Sequence, residues 1–218
     1  MTYRLTLPLA LMASLIAPAQ GSAQAGFDCA KATTSLEMMI CASPQIAEED
    51  RAQSIAFKAL REAKDTAFRQ AILEDQRSFL RARELAFDFT EGKRAEQAQI
   101  VTDLTAARAE FLAWVNTGNF PSPEGVWRNA FGEVKVTPAA KGWSLQIQTV
   151  DPAMARWLCD LSASGGAFQG GQSRLDSPSG AFIAQYDGRL LRLEDPPSDA
   201  HCGHNGRIGG TYFRIGAP

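Results

Sequence analysis

Histidine is nearly missing: only His201 and His204 stand in 218 residues. Any catalysis that needs an imidazole base must recruit one of these two. No Gly-x-Ser-x-Gly elbow is present, and no phosphate-cradling glycine loop; Gly203, Gly206 and Gly209 recur by threes and read as turn glycines. There is no basic excess either, with 22 basic against 24 acidic residues and no clustered basic face, which excludes a nucleic-acid binder. Between Cys29 and Asn116 the only proline is Pro44 and the only glycine is Gly92, so nothing there forbids long helices. No low-complexity tract or internal repeat occurs.

Long apolar runs are also lacking. The longest stretch, Leu5 to Ala17, is interrupted by Thr6, Pro8 and Ser14. It is too short for ~30 Å of hydrocarbon, which takes roughly 20 apolar residues. Behind Arg4 and ahead of Ala23-Gln24-Ala25 it reads as a signal peptide, residues 1–25, cut near Ala25. The expected location is periplasmic or secreted, with no membrane span. A lipid anchor is not expected, because Cys29 follows Phe27-Asp28 and not small residues at the cut. The remaining 193 residues carry a net charge of −3, enough chain for one or two small domains.

Four cysteines in an exported chain normally pair, and four permit three pairings. Sequence distance favours Cys29–Cys41 and Cys159–Cys202, worth ~3 and ~4 kcal/mol by loop-closure entropy.

Two textures divide the chain. Thr34-Ser35-Leu36-Glu37 fits a capping box and predicts a short helix to about Ile40. Ser43-Pro44 opens a second helix, with Glu48, Glu49 and Asp50 near its start. Phe57, Leu60, Phe68, Ala71 and Ile72 recur at helical spacing, Phe79, Ala82, Ala86 and Phe89 continue the stripe, and a bend is expected near Ala71–Asp75. Val101, Leu104, Phe111 and Val115 define a last helix ended by Gly118 and Pro121. Beyond Phe120 the period changes to two, in Glu133–Val136, Trp143–Gln148 and Phe182–Tyr186. Asp187-Gly188 marks a hairpin into Arg189–Leu193, and Arg207–Ile215 is a final strand. The expected class is α+β: a disulfide-tied helical bundle or hairpin at 26–118, a linker at 119–124, and an all-β barrel or sandwich of about seven strands at 125–218.

Phe27-Asp28-Cys29, Glu37, Ile40-Cys41, Ile46, Asp50-Arg51 and the segment Gln76-Arg77-Ser78-Phe79-Leu80-Arg81-Ala82-Arg83-Glu84 resemble the N-terminal domain of LprI-type lysozyme inhibitors. The likeness covers about Phe27 to Trp114. Phe79 stands where the family usually has tryptophan, Ala82 where it has an aromatic, and Phe87 where many members carry a further cysteine. Cys202–Gly206 and Gly210–Arg214 are similar to the endings of small exported β modules found behind such helical domains. The resemblance implies an inhibitor that binds a lysozyme or related glycan hydrolase as its protein partner and blocks the cleft. The residues themselves predict no catalytic group, no metal and no cofactor.

Lysozyme acts through two carboxylates in a cleft. Arg77 and Arg81, four apart on one helix face, are candidate contacts for such a cleft; the alternative is a solvated face salt-bridged to Glu74, Asp75 and Glu84. Tyr186, Arg189 and Arg192 flank the hairpin and form a second candidate binding edge, against an ordinary exposed turn. His201-Cys202-Gly203-His204 invites a zinc reading, but Cys202 is the natural partner of Cys159 and a second ligand pair is missing. Trp127, Trp143 and Trp157 fit either a sugar groove or, more commonly in so small a module, core packing. Two other functions compete with inhibition: a non-enzymatic envelope module that binds peptidoglycan or another envelope protein, and a carboxylate-dependent envelope hydrolase.

Overall fold

The computed structural model describes residues 24–216, so the signal expected at 1–25 falls almost wholly outside the described residues. A 3-10 turn, Cys29–Lys31, is tied by the Cys29–Cys41 disulfide to helix α1, Ser35–Ala42. The capping box at Thr34 is complete: its hydroxyl accepts from Glu37 N at 3.1 Å, and Glu37 Oε2 accepts from Thr34 N at 2.9 Å. Backbone N–H groups of Thr33 and Thr34 hold the Glu37 carboxyl below its ordinary range. Helix α2, Pro44–Arg61, follows with Ser43 as cap and proline at its first position. Helices α3, Thr66–Phe89, and α4, Arg94–Trp114, complete the first half.

The bend expected at 71–75 is not there. Helix α3 runs unbroken through it, and the chain turns earlier, between Arg61 and Thr66. Asp65 restarts the helix by accepting from Phe68 N at 2.9 Å. Arg69 closes the turn by donating to the carbonyls of Ala63 and Lys64 at 2.6 and 2.9 Å. Helix α4 likewise stops before Gly118: Val115 turns extended to bridge Ile215, and Asn116 N donates to Arg214 O at 2.9 Å.

Eight strands follow: β1 Gly125–Arg128, β2 Gly132–Ala139, β3 Gly142–Val150, β4 Leu158–Gly165, β5 Gln172–Asp176, β6 Phe182–Tyr186, β7 Leu190–Leu193 and β8 Gly210–Arg214. Each pairs antiparallel with the next, and β8 pairs with β1 through Trp127–Arg214 and Arg128–Phe213, closing a barrel. The last strand begins at Gly210 and not at Arg207. Asp195 Oδ1 accepts from Ile208 N and Gly209 N at 2.8 and 2.7 Å, which holds that stretch off the sheet. Every strand alternates in and out, and eight strands enclose little more than their own side chains. Trp127, Val136, Leu145, Ile147, Leu191 and Tyr212 are among those filling the interior. Trp127 is fully buried and donates to Pro123 O at 2.7 Å, while Trp143 and Trp157 pack against the same core. The Cys159–Cys202 disulfide links β4 to the loop before β8.

Period two also decides how the halves meet. Tyr212 and Leu191 point into the barrel, so their neighbours Phe213 and Leu190, paired across β7 and β8, point out. There they join Leu60, Phe68, Ile72, Phe111, Leu112 and Val115 of the helices in one cluster. The Phe213 ring meets Phe68 edge-on at 5.5 Å and Phe111 at 6.3 Å.

Candidate docking surface

Helix α3 has two unlike faces. Phe68, Ile72, Phe79, Ala82, Ala86 and Phe87 share one side of the helix and are buried, as an amphipathic helix requires. Three polar residues share that inner face: Asp75, Gln76 and Arg83. A charge enters a core only when paired and hydrogen-bonded, and all three are. Arg83 Nη1 donates to Asp50 Oδ1 at 2.9 Å and to Thr105 Oγ1 at 3.3 Å. Asp50 also accepts from Gln53 Nε2 at 3.0 Å and from Gly26 N at 3.1 Å. Arg108, from α4, donates through Nη1 to Asp75 Oδ2 at 2.7 Å and through Nε to Gln76 Oε1 at 2.9 Å. Burial pulls the Arg108 guanidinium below its usual pKa, against the attraction of Asp75. Phe79 lies beside both arginines, with guanidinium carbons 5.6 and 5.1 Å from its ring centre.

The expectation that Asp75 salt-bridges a solvated face is therefore corrected. It faces inward, and its second oxygen accepts from Ala130 N at 2.8 Å, pinning the barrel to α3.

The outer face carries Arg77, Leu80, Arg81, Glu84, Leu85 and Asp88, all exposed. Arg77 and Arg81 make no ion pair among the described residues; Arg81 Nη2 only reaches Ser78 Oγ, at 3.5 Å. Farther along, Glu84 and Asp88, with Glu91 in the turn after α3, form one wall of a groove of about 840 Å³. Leu36, Met38 and Met39 of α1 supply its other wall, and Arg94 and Gln97 of α4 close its end. Phe87, also lining the groove, is buried in the cluster that includes Ile40, Ile46 and Cys41, so an aromatic ring fills this part of the core.

The hairpin candidates lie elsewhere, where the segment ahead of β1 meets the barrel. Tyr186 Oη donates toward the carbonyls of Phe120 and Ser122 at 2.5 and 2.9 Å, and burial pushes its pKa up. Arg192 Nη1 pairs with Asp187 Oδ2 at 2.8 Å, and Arg189 Nε lies 3.9 Å from Asp65 Oδ2 at the start of α3. Burial would raise the Asp187 carboxyl, but hydrogen bonds from Leu190 N, Arg192 and Arg189 N hold it below its ordinary range. The structure thus does not bring the two candidate sets together: the arginines of α3 face outward, while the hairpin side chains are engaged within the molecule. Tyr186→Phe removes the donor to the carbonyls of Phe120 and Ser122. It should cost about 1 kcal/mol of unfolding free energy, measured by urea titration.

Cys159, His201 and Cys202 bring potential metal-ligand atoms within 4.8 Å of one another, but the two sulfurs are bonded to each other and neither is a thiolate. His201 Nδ1 lies 2.9 Å from Ser179 Oγ.

The groove wall escaped sequence reasoning, which took Glu84 only as a neighbour of the arginines. The spacing 77, 81, 84, 88 is a four-three repeat that marks one helical stripe, and it was the available signal; Glu91 follows in the turn after α3.

Residues 29–112 match the family described as Lysozyme inhibitor LprI. The match takes in α1 to α3 and α4 as far as Leu112, and leaves the barrel outside. Neither the curated proteins nor the solved structures contain a match to the chain. Within this LprI-like segment, the resembling residues Ile40, Ile46, Asp50, Gln76, Phe79, Ala82 and Arg83 are buried, and Cys29, Arg51, Arg77, Leu80, Arg81 and Glu84 are exposed.

Proposed function

We propose that the protein is an exported lysozyme-inhibitor-like protein that binds a cell-wall glycan hydrolase and blocks its cleft without chemistry of its own. The observation that carries this reading is the LprI match over residues 29–112. Two closed disulfides favour an oxidising compartment, periplasmic or extracellular. Buried Asp50 and Asp75 are engaged by arginines and unavailable as a paired acid and base. The same reading divides the chain into a helical domain at 26–118, a linker at 119–124 and a β domain at 125–218.

The test uses the processed, oxidised protein against a panel of lysozymes, with cell-wall lysis followed by turbidity. A saturable fall in lysis rate, with binding in calorimetry, is the expected result. Failure to bind any member, together with sedimentation on purified sacculi, would replace inhibition by a peptidoglycan-binding role. Turnover of cell-wall substrate by the protein itself would replace it by hydrolysis.

A further inference from the structure

We infer that the outer face of α3 is the surface that docks on the hydrolase, with Arg77 and Arg81 over the cleft carboxylates and Glu84, Asp88 and Glu91 on a cationic rim. The inference rests on the inhibitor reading and assigns its contact surface to the helical half.

Three observations converge on this face. The first is exposed apolar area. Six large hydrophobic side chains are exposed among the described residues, and two of them, Leu80 at 38% and Leu85 at 51%, are on this outer face of α3. A third, Met38 at 51%, stands across the groove. Such side chains scattered singly need no explanation, but a concentration on one helix marks an interaction surface.

The second is unmated charge. The stripe is cationic at one end and anionic at the other, and none of Arg77, Arg81, Glu84, Asp88 and Glu91 forms an ion pair among the described residues. Glu74, one turn before Arg77, already accepts from Gln70 Nε2 at 2.8 Å. A guanidinium presents a planar fork that matches a carboxylate, so the Arg77–Arg81 end suits a pair of cleft acids. The carboxylate wall repels those same acids and fits a basic border, which fixes the direction in which the helix lies along the partner.

The third is rigidity. The opposite face of α3 is clamped by the Asp75–Arg108 and Asp50–Arg83 pairs with Phe79 beside them. A surface held from beneath loses little freedom on binding.

The experiment compares the intact oxidised protein with two double reversals, Arg77→Glu with Arg81→Glu, and Glu84→Lys with Asp88→Lys. Inhibition is measured on a lysozyme, and calorimetric affinity on that lysozyme and on its variant with one cleft acid changed to the amide. Each reversal should weaken binding about tenfold or more, with thermal unfolding unchanged because all four side chains are exposed. Against the amide variant the arginine reversal should lose less, while the carboxylate reversal should lose as much as before. Unchanged affinity in both reversals, with the wild type still inhibiting, overturns the docking surface and leaves the inhibitor reading standing. Loss on Arg189→Glu but on neither α3 reversal would move the contact to the barrel hairpin and overturn it too. A wild type that binds no lysozyme removes both.

Discussion

Asp75→Ala should lower the free energy of unfolding by about 3–5 kcal/mol, because it leaves the Arg108 guanidinium buried without its anion. Arg108 Nη2 already has no hydrogen-bond partner, and without Asp75 the guanidinium keeps only the neutral Gln76 Oε1 as acceptor. The variant also frees Ala130 N, the hydrogen bond by which the first β turn is held to α3. For a chain of this length the loss corresponds to a melting temperature lower by roughly 6–20 °C, read by calorimetry. The pair Asp75→Leu with Arg108→Met should recover most of it, since a buried ion pair exchanged whole for apolar groups is often neutral. A single variant that melts like the wild type would mean that water reaches Arg108 and that the pair is not a structural clamp.

Phe213→Ala should cost a similar amount, about 3–5 kcal/mol, because the deleted ring lies wholly inside the joint between helices and barrel. Its more telling effect is on cooperativity. In the wild type the shared cluster should make helix content at 222 nm and the tryptophan signal, three of whose four sources lie in the barrel half, change together. With the ring gone, the two signals should separate, the barrel outlasting the helices or the reverse. Coincident transitions in the variant, with little loss, would show that the halves are coupled by the Asp75–Ala130 and Asn116–Arg214 hydrogen bonds and not by the aromatic contact.

Much of the architecture was legible because it is local. The capping box at Thr34, the Ser43-Pro44 helix start, the period-two strands and the Asp187-Gly188 turn each arise from interactions within a few residues. Errors came where a distant partner decided. The sequence predicts a bend near Ala71–Asp75, yet Asp75 and the following Gln76 are inner-face residues completed by an arginine 33 and 32 positions away. Barrel or sandwich could not be separated, because closure depends on β8 meeting β1, strands more than eighty residues apart. The surface on α3 was half visible: Arg77 and Arg81 share a face by spacing alone. That Glu84, Asp88 and Glu91 continue it beside Met38 requires α1 to lie alongside.

The sequence by itself determined where α1 and α2 begin, that helices give way to strands beyond Phe120, that its cysteines can close two loops, and which family its first half resembles; short-range hydrogen bonding and periodicity suffice for these. Only the tertiary structure decided which charges are inside. A carboxylate and a guanidinium are alike in sequence whether they meet water or each other. Asp50, Asp75, Arg83 and Arg108 hold the fold, and Arg77 and Arg81 remain free, because the core brought the first four together and left the other two outside.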